Sequence, residues 1–242
     1  MPTIAPRLLL IAPAFVVFLL VTLLVALLVP GPLPLVLGLA IGLVVAFAVT
    51  VLLERRAPEA ALRSLGARPL DEGTEPRLES LVESVCASHG ISEPRLYLVE
   101  SRAPDAAVAG KADDTRLVVT TGALRQFDRL ELEAVVARQL VQFGRGIHAA
   151  TVLAAVSPFY GPLAPRIRAR VLDDRRLALS DIEGVRLTRY PPALASAFEK
   201  AARSDGVPDR PASRHLWLVG PRVATEVVQP DLTERIDTLR EL

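Results

Sequence analysis

The chain has 242 residues, 51% of them hydrophobic and 23% charged, with a formal net charge of +1. So even a balance leaves no net field to attract phosphate, which argues against a nucleic-acid partner. The single cysteine, Cys86, excludes an intrachain disulfide and falls on an apolar helical stripe, where a buried, unreactive thiol is expected.

The averages conceal a sharp division. Arg7 is the only ionisable side chain before Glu54, and from Glu54 onward basic and acidic residues balance at 27 each. Residues 8–29 and 35–53 are uncharged and mostly apolar. As helices rising ~1.5 Å per residue, each is long enough to cross a hydrocarbon core ~30 Å thick. Pro30, Gly31, Pro32 and Pro34 between them leave room only for a tight turn. The first stretch is too long for a signal peptide, lacks a small-residue cleavage site and is followed at once by a second span. Residues 1–53 therefore read as a transmembrane helical hairpin, with the lipid bilayer as partner. The turn carries no basic residue, whereas Arg7 precedes the first span and Arg55, Arg56, Arg63 and Arg68 follow the second. Positive charge stays inside, so a multi-pass cell-membrane protein with a cytoplasmic soluble domain is expected. Gly38 and Gly42 form a G-x-x-x-G in the second span, a pattern that serves packing within the hairpin or between two chains.

Residues 54–73 form a charged, Ala-rich juxtamembrane connector, helical at first, and residues 74–242 a soluble domain. Leu78, Leu81, Val82, Val85 and Cys86 recur at the spacing of one buried helical face, which Gly90 is placed to end. Residues 95–100, 105–110 and 116–121 read as strands, the last two joined by a polar turn at Asp113 and Asp114. Asp128 followed by Glu131 has the form of a capping box, and Leu132, Val135, Val136, Leu140 and Phe143 supply the apolar positions of the helix behind it. Residues 147–160 are apolar but too few for a third span, so a buried or interfacial segment is expected. Helical patterns cover residues 173–187, 192–202 and 231–242, and residues 215–219 read as a short strand.

This order of elements resembles the HtpX-type membrane zinc metallopeptidases, relatives of the CAAX prenyl proteases. The resemblance rests on Glu93-Pro94-Arg95-Leu96-Tyr97, on Pro104-Asp105-Ala106-Ala107-Val108-Ala109-Gly110 and on Val118-Val119-Thr120-Thr121-Gly122-Ala123-Leu124. It continues in Leu132-Glu133-Ala134-Val135-Val136-Ala137, residues 194–200 and residues 232–236, and so covers most of the soluble domain. It implies an α+β fold, with a mainly helical metallopeptidase-like domain around a small antiparallel sheet behind the hairpin.

The chemistry of that family needs H-E-x-x-H, two imidazoles one turn apart on zinc with a Glu as general base. The matching residues are Arg138-Gln139-Leu140-Val141-Gln142. A guanidinium has no lone pair to donate, and neither glutamine serves as a base. The family's third ligand, a Glu four residues before an Asp, matches Leu177 before Asp181, and its C-terminal His matches Gln229. The remaining histidines, His89, His148 and His215, have no ligand spacing and read as capping, core or surface residues. No metal, cofactor or catalytic residue is therefore expected. Arg138 either fills part of the vacated site, paired with Asp181 or Glu133, or points to solvent. Residues Asp105, Ala106, Ala107, Val108, Ala109 and Gly110 are the candidate edge for adding a bound peptide as an extra strand, unless a neighbouring loop covers them. The resulting expectation is a pseudopeptidase that binds, scaffolds or regulates another membrane protein or peptide segment. The alternative is an active membrane zinc metalloendopeptidase with non-standard ligands.

Overall fold

The computed structural model describes residues 6–28, 34–111, 113–142, 146–172, 175–222 and 232–242. The expected core residue Phe143, the turn at Gly31 and the site position Gln229 lie outside them.

Two apolar helices open the chain. A 3-10 turn over Pro6–Leu10 leads into α1, Ile11–Leu28, and α2 runs through Pro34–Leu65. The G-x-x-x-G of α2 is used inside this pair. A Cβ on Gly42 would stand 2.8 Å from Thr22 Oγ1 and 3.0 Å from the Phe18 carbonyl oxygen, and Thr22 donates to the Gly38 carbonyl at 3.2 Å. Small residues there let the two backbones approach. The connector is helical well past its start: α2 continues without a break through Pro58 to Leu65. Ala61, Leu62 and Leu65 then join the main core.

After a short β1, Arg68–Pro69, α3 spans Pro76–His89, and Gly90 ends it in the left-handed conformation with φ +64°. Next come the strands β2, Arg95–Val99, β3, Ala106–Lys111, and β4, Asp114–Thr120. Their order in the sheet is β1-β2-β4-β3. The sheet is mixed rather than antiparallel throughout, because the central pair β2–β4 is parallel while β1–β2 and β3–β4 are antiparallel. The 100–105 loop carries the chain past the place beside β2 to the outer edge, and β4 returns into the gap. Thr120 pins that loop: its hydroxyl donates to the Ala103 carbonyl and accepts from Asp105 N–H. Gly110 makes the tight return possible, at φ +125° and with the Asp114 carbonyl where a Cβ would sit.

Thr120 also caps α4, Thr121–Gln126, accepting from Ala123 N–H. The strand expected over residues 116–121 therefore stops one residue early, because Thr120 ends one element and starts the next. α5, Arg129–Val141, carries the expected capping box between Asp128 and Glu131. α6, Ile147–Tyr160, is largely buried. α7, Ala164–Val171, α8, Arg175–Thr188, α9, Pro191–Arg203, and α10, Leu232–Glu241, complete the helices. The strand expected at residues 215–219 is reduced to a 3-10 turn, Arg214–Leu216, and one antiparallel bridge from Trp217 to Ala107. The domain is thus α+β, with α5 at the centre of its core.

Leu132, Val136 and Leu140 of α5 are buried in that core. Leu132→Ala should lower the unfolding free energy of the soluble domain by about 2–5 kcal/mol in denaturant titration. A loss below about 1 kcal/mol would show that this face is not core.

Candidate functional site

The residues singled out on α5 form one buried hydrogen-bonded cluster, which reaches a carboxylate on α8 through Arg138. α8 crosses α5 at Gly184, where an added Cβ would lie 2.6 Å from both Cα and Cβ of Arg138. That close approach brings Asp181, one turn earlier on α8, against Arg138. The Arg138 side chain is 0% exposed, and its Nε donates to Asp181 Oδ1 at 2.8 Å. Of the arrangements open from sequence, the structure therefore has the inward one with Asp181, not Glu133 or solvent.

Asp181 holds a second guanidinium, for which the sequence gives little warning. Arg235 of α10 donates from Nε to Asp181 Oδ2 at 2.7 Å and from a terminal nitrogen to Oδ1 at 2.9 Å. Its guanidinium also lies 4.4 Å from the ring centroid of Phe198 on α9, a cation–π contact, and donates to the Leu218 carbonyl. The one available signal is the i, i+3 and i+4 placement of Leu232, Arg235, Ile236 and Leu239 on the apolar face of α10, which puts an arginine among buried neighbours. Burial lowers the Arg138 pKa from its usual value, and the Asp181 charge opposes that shift.

The two glutamines are also committed. Gln139 Oε1 accepts from Arg138 at 2.8 Å and from the Gln142 amide, and Gln139 Nε2 donates to the Ala106 carbonyl of β3 at 2.7 Å. Leu177, four residues before Asp181 on α8, is buried and purely apolar. As a zinc centre the set does not fit. Arg138 and Leu177 have no lone pair to offer, the amides bond to one another and to backbone, and the one acid, Asp181, is occupied by two cations. Among the described residues, no three His, Cys, Asp or Glu side chains come together as a ligand group.

The histidines take structural places. His89 ends α3, His148 Nε2 stands 4.0 Å from Glu54 Oε1, and His215 Nε2 donates to the Ala150 carbonyl at 2.8 Å. Cys86 is buried, and burial raises its thiol pKa, with a smaller contribution from Glu93.

The candidate peptide-adding edge is covered by the chain itself. Asp105 through Gly110 are all buried. The Ala106 carbonyl accepts from both Gln139 and Leu218 N–H, Ala107 bridges to Trp217, and Gly110 N–H donates to Thr151 Oγ1. Asp105 holds this covering segment in place, accepting from the N–H groups of Val219 at 3.2 Å and Gly220 at 2.7 Å. Burial raises its pKa to about 6, against the lowering effect of these backbone donors.

Two outcomes are expected. Asp181→Ala leaves two buried guanidiniums without their counter-charge and should cost about 3–5 kcal/mol of stability, whereas Arg138→Met, which keeps the Asp181–Arg235 pair, should cost less than about 1.5 kcal/mol. Equal losses in thermal or denaturant unfolding would refute the shared-carboxylate arrangement. The second outcome concerns Asp105. Its folded-state pKa lies above the ordinary 3.8, so the folded chain binds the proton more tightly than the unfolded chain. Its contribution is therefore most favourable below about pH 4 and is lost as pH rises through about 6, by up to ~3 kcal/mol. Asp105→Asn should remove that part of the pH dependence, and parallel stability-versus-pH curves would contradict it.

Comparison with known proteins agrees with this architecture. No protein-family model matches the chain. Among curated proteins it is similar to the protease HtpX homologue of Acidiphilium cryptum, 26% identical over 228 residues that cover 76% of this chain and 79% of the relative. The homologue of Tropheryma whipplei is 28% identical over 221 residues, covering 73% and 76%. That of Pyrococcus furiosus is 27% identical over 221 residues, with the same two shares, 73% and 76%. With an apolar helix pair in front and an α+β domain behind, the chain is similar to the HtpX-type protease homologues over about three quarters of its length.

Proposed function

We propose that this chain is a catalytically inactive HtpX-like membrane protein that binds or regulates another membrane protein at the cytoplasmic face. The observation that carries the reading is the Arg138 guanidinium, wholly buried and paired with Asp181 at the turn where the family resemblance implies a metal-binding His. A fixed positive charge there opposes a divalent cation. Gln139, at the position of the general base, has its amide tied to Arg138, Gln142 and the Ala106 carbonyl, so it neither accepts a proton nor orients water. Peptide addition to β3 is part of the proposal only with a displacement step. The incoming strand has to replace Trp217 and Leu218, which means losing the Leu218 N–H bond to Ala106. Conversely, the hold of Asp105 on Val219 and Gly220 sets how readily that segment leaves.

The reading makes three expectations together. Purified full-length protein should carry no stoichiometric zinc, its melting temperature should not move on chelation, and it should not cleave unfolded protein substrates. Arg138→His with Gln142→His should bind zinc weakly at best, because Leu177 still denies a third donor. Adding Leu177→Glu should tighten binding by at least tenfold, and hydrolysis should require Gln139→Glu as well. Stoichiometric zinc in the unmodified protein, lost to chelator together with stability, would put the active-peptidase alternative first. Topology is tested separately: a reporter fused after Leu242 should be active only on the cytoplasmic side.

A further inference from the structure

The stretch Ile147–Val171 is, by length and composition alone, apolar enough to cross a membrane. Its contacts give it a different place. His148, near the start of α6, lies 4.0 Å from Glu54, the first charged residue after the second apolar stretch. Tyr160, at the other end, donates its hydroxyl to the carbonyl of Leu9, beside the start of the first stretch. Both ends of α6 therefore meet the hairpin where its apolar stretches end. A helix of 14 residues is roughly 21 Å long at ~1.5 Å per residue, so a helix joining those two points runs along the membrane surface. Its middle is bound to the soluble domain, through Thr151 to Gly110 and through the Ala150 carbonyl to His215.

The chain beyond the middle of α6 is amphipathic in the same frame. Phe159 is 67% exposed and Leu163 is 52% exposed, beside the exposed Pro158 and Pro162. On α7, Ile167 and Val171 pack against the cluster of Leu9, Leu10 and Ala57 beneath the hairpin. Arg166 and Arg170, one turn apart, face outward, while Arg168 turns back to the Pro211 carbonyl at 2.9 Å. Arg55 and Arg56, just past the second apolar stretch, are exposed as well. An apolar tip with arginines behind it, at the level where the hairpin leaves the hydrocarbon, matches the interface of an anionic bilayer in both polarity and charge.

We propose that the α6–α7 segment is a monotopic anchor: Phe159 and Leu163 enter the acyl–headgroup boundary, and Arg166 and Arg170 bind the phosphates of anionic phospholipids. The proposal rests on the hairpin crossing the bilayer. It adds to the hairpin a second contact between the domain and the membrane, one that is sensitive to lipid charge.

The test uses the full chain, reconstituted in vesicles of phosphatidylcholine with or without phosphatidylglycerol. A spin label at Phe159→Cys, in a Cys86→Ala background, reports depth by its relaxation with oxygen and with a water-soluble nickel chelate. The expected result is protection from nickel and a depth of about 5–10 Å below the phosphates, shallower than a label at Leu24→Cys in the hairpin. Arg166→Glu with Arg170→Glu should lower the enrichment of phosphatidylglycerol around the protein by roughly fivefold per arginine. Arg125→Glu on α4 should leave enrichment unchanged, and inorganic phosphate should not compete. Melting curves identify variants that do not fold, and for those the label result decides. Nickel access at position 159 equal to that of an aqueous label overturns the proposal. A depth at the bilayer centre overturns it in favour of a third span, and shielding from both reagents does so in favour of a protein occupant such as a second copy. Nickel access at position 24 would instead show that the membrane reading of the hairpin has failed.

Discussion

Asp181 answers two buried guanidiniums, and the arrangement of the domain depends on that one carboxylate. Its partners come from α5 and α10, so one carboxylate on α8 ties three helices together. Two buried arginines on one acid leave an excess positive charge, which an apolar interior tolerates only if other groups answer it. Here they do: Phe198 lies under Arg235, the Leu218 carbonyl accepts from it, and the charge of Asp105 favours the charged form of Arg138. Gly184 is the steric condition for all of this, since any side chain there would push α8 off the Arg138 backbone. A metal ion in a related fold would cross-link helices by coordination. In the proposed pseudopeptidase, a guanidinium fixed to its own helix makes the equivalent cross-link by hydrogen bonding.

The same contacts close the edge of the sheet. Arg235 and Asp105 both hold the Leu218–Gly220 segment, one through a carbonyl and the other through two amides. Trp217 and Leu218 then fill the place along β3 that an added strand would take. An exposed strand edge invites pairing with other chains, and this chain answers that liability with its own backbone. Core charge and surface accessibility are therefore linked through a single short segment.

A second constraint links this domain to the hairpin. α2 does not end where its apolar stretch ends but continues into the core, with Ala57 under the hairpin and Ala61, Leu62 and Leu65 in the main cluster. Its last carbonyls, on Arg63 and Ser64, accept from Arg210 and Ser213. The last turns of α2 are therefore part of the domain, and the same helix runs on from the apolar stretch into the core. The position of α6 and α7 against the hairpin is thus a consequence of packing rather than of a linker.

Much of this architecture is legible in the sequence, because its causes are local. The two apolar stretches, the capping box of Asp128 and Glu131, the stop at Gly90 and the apolar stripe of α3 each depend on residues within a few turns of one another. That Arg138, Gln139, Gln142 and Leu177 are poor metal donors is legible too, since a guanidinium and an alkyl chain offer no lone pair and a neutral amide is a weak ligand. Only the tertiary structure decides where Arg138 turns, that Arg235 joins it, that β4 lies parallel to β2 and that residues 217–220 cover β3. The partners of those contacts are separated by 43 positions for Arg138 and Asp181, 54 for Arg235 and Asp181, and 115 for Gly220 and Asp105. No local spacing rule selects among partners so far apart. The choice falls to close packing, which admits one arrangement of these helices in which Asp181 meets both of its arginines.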